Sequence, residues 1–147
     1  GSDINRISSE PYRECDSICG AGFMISGELF DSMSGFEESF FYLYEESDLS
    51  LRVKGRGFNV LTAFDSHVFH KESATVGELS PMYTFHSVRN HCWFVKRHNV
   101  GKISFANGMI RSLRMAQFYF RKSILNGKLS AAGSSLNGLL YGIFSSP

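Results

Sequence analysis

Beyond Pro81 the sequence reads as helix over nearly all of its remaining length, and this change of character limits the possible folds more than any other feature. Three helices are predicted, over about residues 83–98, 103–125 and 129–144, separated by Gly101 and by Asn126-Gly127. Upstream, short apolar runs alternate with turns. Residues 3–17 are polar and irregular. The run CGAGFMI at 19–25 is apolar and holds two glycines, the pattern of a buried strand whose backbone lies close to a neighbour. Ser26 is placed to cap a short helix over 27–33, ended by Gly35. The aromatic run FEESFFYLY then leads, as loop or strand, into a second helix over about 45–56. That helix opens with Glu45, Glu46 and Asp48, which suit the positive end of its dipole, and it stops at Gly57. Residues 58–63 (FNVLTA) and 67–70 are predicted strands. The expected architecture is therefore an α/β part over 3–78 followed by a helical part over 79–147. Two or three short strands do not cover both faces of a doubly wound sheet, so the sheet is expected to be incomplete. Open apolar edges of that kind favour association between copies of the chain, a homo-oligomer.

Charge divides the chain at nearly the same place. All 14 acidic residues stand at or before Glu78, where they outweigh six basic residues for a net −8. From Leu79 onward there are nine Lys or Arg and no acid, a net +9. The second part is therefore expected to seek an anionic surface. Nucleic acid is the weaker reading of that surface, because no reading motif accompanies the charge. With 43% hydrophobic and 20% charged residues the chain belongs with globular rather than disordered proteins. No apolar run approaches the roughly 18 residues of a membrane span. Cys15, Cys19 and Cys92 are an odd set without a disulfide framework, which suits a reducing, cytoplasmic setting. The Cys15/Cys19 spacing lacks the second pair that a tetrahedral metal site needs. Gly1-Ser2 reads as the remnant of a cleaved tag, so the natural chain is expected to extend upstream.

Several elements in order carry a likeness. They are Gly20-Ala21-Gly22-Phe23-Met24-Ile25, Leu29-Phe30, Ser34-Gly35-Phe36-Glu37-Glu38, Phe40-Phe41-Tyr42-Leu43-Tyr44, Glu45-Glu46-Ser47-Asp48-Leu49-Ser50-Leu51-Arg52, Gly57-Phe58, and Val68-Phe69-His70-Lys71-Glu72-Ser73. Further on come Arg89-Asn90, Phe94, Lys96-Arg97 and Gly138-Leu139-Leu140-Tyr141-Gly142. Together they resemble the family 2 glycosyltransferases, in particular the rhamnosyltransferase-like branch. The family has Gly-Phe-Asp-Glu where Gly35-Phe36-Glu37-Glu38 stands here, and Glu-Asp where Glu45-Glu46 stands. The extra methylene moves a carboxylate by roughly 1.5 Å, a distance that matters to catalytic placement. The family's Asp-x-Asp, which binds the nucleotide diphosphate through a metal, does not occur in these 147 residues.

The resemblance implies a partial GT-A domain with a helical C-terminal tail, the acceptor-side half of an inverting sugar transferase. Its donor is a nucleotide sugar, its acceptor a saccharide, often lipid-linked, and its cofactor Mg²⁺ or Mn²⁺. Without the nucleotide-binding half this stretch is expected to be inactive alone and to hold no metal tightly. The alternative is a non-catalytic module that docks on membrane or on itself. Inverting transfer needs a carboxylate to take the acceptor hydroxyl's proton. Glu46 matches the family's base and Glu45 is the second choice. Asp48, four residues before Arg52, is positioned to pair with it along one helix face and support both. A carboxylate near two others at the edge of an aromatic pocket should have a raised pKa. The resemblance makes His70, at a strand end, the metal ligand; His67, three residues earlier, points to the opposite face by pleat alternation. Phe41, Tyr42 and Tyr44 are candidates to stack on sugar faces. Gly20, Ala21 and Gly22 are small enough for a ligand to approach their backbone, and Arg52 joins this binding set. In the tail, Arg111, Arg114, Arg121 and Lys122 alternate with Met115, Phe118, Tyr119 and Phe120, a composition suited to an interfacial membrane helix. The chain is thus expected at the inner face of the membrane, peripherally bound.

Overall fold

A computed structural model describes residues 11–70, 76–77, 79–98 and 102–147, with only the backbone at 102 and 103. Its elements are β1 (Tyr12–Glu14), α1 (Gly27–Ser32), a 3-10 turn (Glu38–Phe40), α2 (Glu45–Gly55), β2 (Leu61–Ala63), α3 (Pro81–Arg97), α4 (Lys102–Leu125) and α5 (Leu129–Phe144). The chain is mostly helical, with one small antiparallel sheet in which Tyr12 pairs with Ala63 and Glu14 with Leu61.

The helices follow from local chemistry. Ser26 caps α1, its hydroxyl accepting from the Leu29 amide at 3.2 Å. Ser80 does the same for α3 through the Tyr83 amide at 3.1 Å, with Pro81 at the first helical position. Gly127, at φ +69°, turns the chain between α4 and α5. All five predicted helices form, each within two residues of its expected bounds. Gly101 and the Lys71-Glu72-Ser73 end of the motif lie outside the described residues.

Strand expectations fared differently. Residues 19–25 form no strand: the chain turns at Gly20–Gly22, the Gly22 amide donating to the Cys19 carbonyl at 3.2 Å, and then runs on without a paired neighbour. Residues 67–70 also have no strand partner among the described residues and are exposed. Of 58–63 only Leu61–Ala63 pairs, and its partner is Tyr12–Glu14, inside the segment expected to be irregular. An apolar run becomes a strand only when another edge is there to take its hydrogen bonds.

Two cores result. Met33, Leu49, Val53 and Val60 are buried beneath Ile18, Phe23, Ile25, Leu29, Phe30 and Phe36. The second lies among α3, α4 and α5 and is built largely from small residues: Ala116, Ala131, Ala132, Ser135, Gly138 and Gly142 are all buried. A Cβ on Gly138 would lie 2.5 Å from the Phe85 carbonyl oxygen, and one on Gly142 2.7 Å from Cys92 Cβ. α5 therefore rests directly on the α3 backbone, an approach only glycine permits. Thr84 completes the contact by donating to the Ala131 carbonyl at 2.9 Å.

Candidate functional site

The first turn of α2 lies opposite the Gly20 turn, and serines hold the two together. Ser50 accepts from the Ile18 amide at 3.1 Å while donating to the Glu46 carbonyl at 2.7 Å. Ser17 and Ser47 hydroxyls meet at 3.0 Å. Between these segments is an open cleft of about 620 Å³ lined by Gly20, Phe23, Phe36, Glu37, Glu38, Phe41, Glu45 and Glu46. A Cβ on Gly20 would sit 3.4 Å from Glu46 Cδ, so this turn is the wall that faces the carboxyl. Glu46 is half-buried. Burial pushes its carboxyl above the usual carboxylate range; a backbone hydrogen bond offsets part of this and the charge of Glu45 adds to it. One oxygen of Glu45, Oε2, is buried with no hydrogen-bond partner among the described residues.

The approach to α2 is strained. Phe41, Leu43 and Tyr44 adopt φ of 61°, 70° and 78°, left-handed values that cost side-chain-bearing residues energy. The α3 helix holds this loop in place. Asn90, fully buried, donates to the carbonyls of Phe40 (2.9 Å), Tyr42 (2.7 Å) and Leu43 (2.8 Å). Arg89 donates to Ser39 O at 3.1 Å and Phe40 O at 2.9 Å, and through Nε to Asn90 Oδ1 at 2.8 Å. Its guanidinium also lies 4.2 Å from the Trp93 ring centre. The sequence marks Arg89-Asn90 only as part of the tail resemblance, and their grip on a loop some 50 residues upstream had no local signal.

Below the cleft, Asp48 is buried and bound by three cationic or basic groups. Its Oδ2 accepts from Arg52 Nε at 2.7 Å; its Oδ1 accepts from Arg97 Nε at 2.8 Å and lies 2.7 Å from His98 Nε2. Arg97 also pairs with Glu37 at 3.1 Å. The expected Asp48–Arg52 pair thus forms, and it belongs to a larger knot joining α2 to the end of α3. Asp48 does not line the cleft, so of the three acids in this turn that were put forward for the site only Glu45 and Glu46 do, and Asp48 keeps the supporting role. Arg52 is not presented to a ligand: its other nitrogens donate to Met33 O at 2.6 Å and Gly35 O at 2.8 Å.

The binding candidates separate similarly. Phe41 is exposed on the cleft, and Gly20 lines it. Tyr42 is half-buried with its ring edge-on to His86, and Tyr44 packs on His91 and Phe94, an anchor for the loop rather than a platform. Ala21 is exposed, while a Cβ on Gly22 would lie 3.1 Å from Val68. His86, on α3, went unnoticed in the sequence. Its ring is 5.6 Å from that of Phe41, and its buried Nδ1 has no partner among the described residues. Burial, helped by the charge of Arg89, pulls its imidazole down to about 4, so it is neutral at pH 7. Glu45 Oε2 and His86 Nδ1 are thus two unsatisfied polar atoms on elements that border the aromatic side of the cleft.

His70 and His67 are exposed in an irregular segment. Among the described residues no group of three His, Cys, Asp or Glu side chains converges on His70 or elsewhere as a metal site would require. Cys15, Cys19 and Cys92 are free thiols, the last of them buried.

Compared with family models, with curated proteins and with solved structures, the chain gives no match, so the reading of the cleft rests on its own geometry and on the motifs it carries.

Proposed function

We propose that this chain is the acceptor-side part of an inverting glycosyltransferase, acting with a nucleotide-binding part that supplies the Asp-x-Asp element. The observation that carries the reading is Glu46: a half-buried carboxyl at the first turn of α2, facing a cleft opposite a glycine turn, with raised proton affinity. A carboxylate whose proton affinity is raised above the usual range is a stronger base toward an acceptor hydroxyl. Its task is to take the acceptor hydroxyl's proton as that oxygen attacks the anomeric carbon from the face opposite the leaving diphosphate. Glu45 raises the basicity of Glu46 by its negative charge. Phe41 provides an apolar face for a sugar ring, the commonest way proteins bury the C–H side of a saccharide. Arg89 and Asn90 are positioning residues, since they set the loop that delivers both glutamates. The donor's diphosphate and its divalent metal belong to the other part, and no step is assigned to them on these residues.

The test is sugar transfer by the full-length protein, assayed against a panel of nucleotide sugars with Mg²⁺ or Mn²⁺. Glu46→Gln is expected to abolish transfer while donor binding and the far-UV circular dichroism stay unchanged. Normal transfer by that variant would remove Glu46 from the mechanism. Micromolar binding of a nucleoside diphosphate to these 147 residues alone would overturn the division of labour between the two parts.

A further inference from the structure

We infer that the outer face of the α4–α5 hairpin is a docking surface for an anionic phospholipid bilayer, with the two helices lying in the plane of the interface. The inference is independent of the transferase reading. It begins from how the hairpin is packed. Ser135 Oγ donates to Ala116 O at 3.4 Å, which fixes the sides on which α4 and α5 meet. Gly138 and Gly142 of α5, and Gly108 of α4, face α3. One row outward from Ala116, away from α3, α4 carries Leu113, Phe120 and Ile124. One row outward from Ala132, α5 carries Leu129, Leu136, Leu140 and Ile143. Both rows follow i, i+7, i+11, so each runs straight along its helix. The helices are antiparallel and joined at Asn126-Gly127, so the two rows lie side by side as one apolar strip. No described segment covers it. Leu113, Ile124, Leu136, Leu140 and Ile143 are each about two-fifths to one-half exposed, and Leu129 and Phe144 at the ends are 70% and 84% exposed. α5 itself holds no charged residue in its 16 positions.

The edge of the strip says what covers it. Along α4, next to the apolar row, stand Arg114 and Arg121, which share a surface pocket with Phe120, both exposed and without a salt bridge among the described residues. No acidic residue occurs anywhere after Glu78, so the surface has no negative charge of its own to satisfy them. A second copy of the chain would bring an identical apolar strip, but also a second row of arginines against the first. Such a contact opposes like charges. A bilayer of anionic lipid answers both features at once, acyl chains for the leucines and phosphates for the guanidinium groups. Long arginine side chains reach from an apolar face up to headgroups. None of the described helices is long and apolar enough to cross a membrane, which leaves the interfacial mode.

Flotation of the chain with vesicles tests the inference. Vesicles of phosphatidylcholine containing phosphatidylglycerol are expected to carry the protein at low salt and to release most of it at high salt. Vesicles of phosphatidylcholine alone should carry little. Replacing Arg114 and Arg121 together by Gln should weaken binding on the order of 25-fold, about fivefold per arginine. Leu136→Glu with Leu140→Glu should abolish it, with helix content unchanged because both side chains are exposed. Binding indifferent to lipid charge, or no binding to either vesicle, overturns the proposal. So does a concentration-dependent dimer that the Leu136→Glu, Leu140→Glu variant disperses while vesicles fail to float the parent chain.

Discussion

Replacing Asp48 by Asn keeps the volume of the side chain and removes its charge, leaving Arg52 and Arg97 around a neutral amide. In the folded protein Asp48 is buried and its two oxygens accept from both guanidinium groups and meet His98 at 2.7 Å. The Asn can offer only one acceptor oxygen, so at least one arginine faces an NH₂ donor instead. Breaking a buried pair in this way costs about 3–5 kcal/mol. The two arginines remain 19% and 33% exposed and recover some hydration, which places the expected loss at the lower end, about 3 kcal/mol. For a chain of this length that corresponds to a fall in Tm of roughly 10 °C. Thermal unfolding followed by circular dichroism at pH 7 measures it. The pH dependence supplies a second check. Burial alone would raise the Asp48 carboxyl, but hydrogen bonds from His98 and Arg52 and the charges of Arg52 and Arg97 outweigh it and hold the carboxyl below the ordinary Asp value. A group whose folded pKa is depressed stabilises above its unfolded pKa and ceases to do so as pH falls through the folded one. The part of the gap due to the Asp48 charge should therefore begin to narrow near the ordinary Asp value of about 4 and close as pH falls through the lower folded value. Other carboxylates titrate in both proteins and cancel in the difference. A variant within 0.5 kcal/mol of the parent, roughly the noise of an ordinary surface change, or a gap that widens in acid, refutes the reasoning.

Asn90→Ala should cost about 2–3 kcal/mol, because the Tyr42 and Leu43 carbonyls lose their Asn90 donor and Phe40 O is left to Arg89. Limited proteolysis should then cut within residues 39–44, where the parent resists. Gly138→Ala should destabilise by about 1–2 kcal/mol, since a contact of 2.5 Å to the Phe85 carbonyl forces α5 off α3 and outweighs the gain in helix propensity. Gly133→Ala on the same helix meets nothing within 4 Å and should stabilise by up to about 1 kcal/mol; denaturant midpoints compare the two. Equal effects from both substitutions would show that α5 does not rest on α3 as described.

What the sequence by itself determined was everything that repeats over a few residues. The five helices, the Ser26 cap and the glycines at 57 and 127 were legible because a helix satisfies its hydrogen bonds within four residues, so its signals are local. The acidic first turn of α2 was legible for the same reason, as was the basic character of α4. The tertiary structure decided what depends on partners far along the chain. Residues 19–25 and 67–70 looked as much like strands as Leu61–Ala63, but only the last found an edge, at Tyr12–Glu14. Asp48 and Glu46 stand two residues apart in one acidic turn. Burial against Arg97 and His98 makes the first a structural anchor, while the Gly20 turn leaves the second facing a cleft. Arg89 and Asn90 acquire their grip on the 39–43 loop only when α3 is laid against it. Side-chain chemistry was the same before and after folding; which atoms became desolvated, and beside which charges, was set by contacts between segments about 50 residues apart.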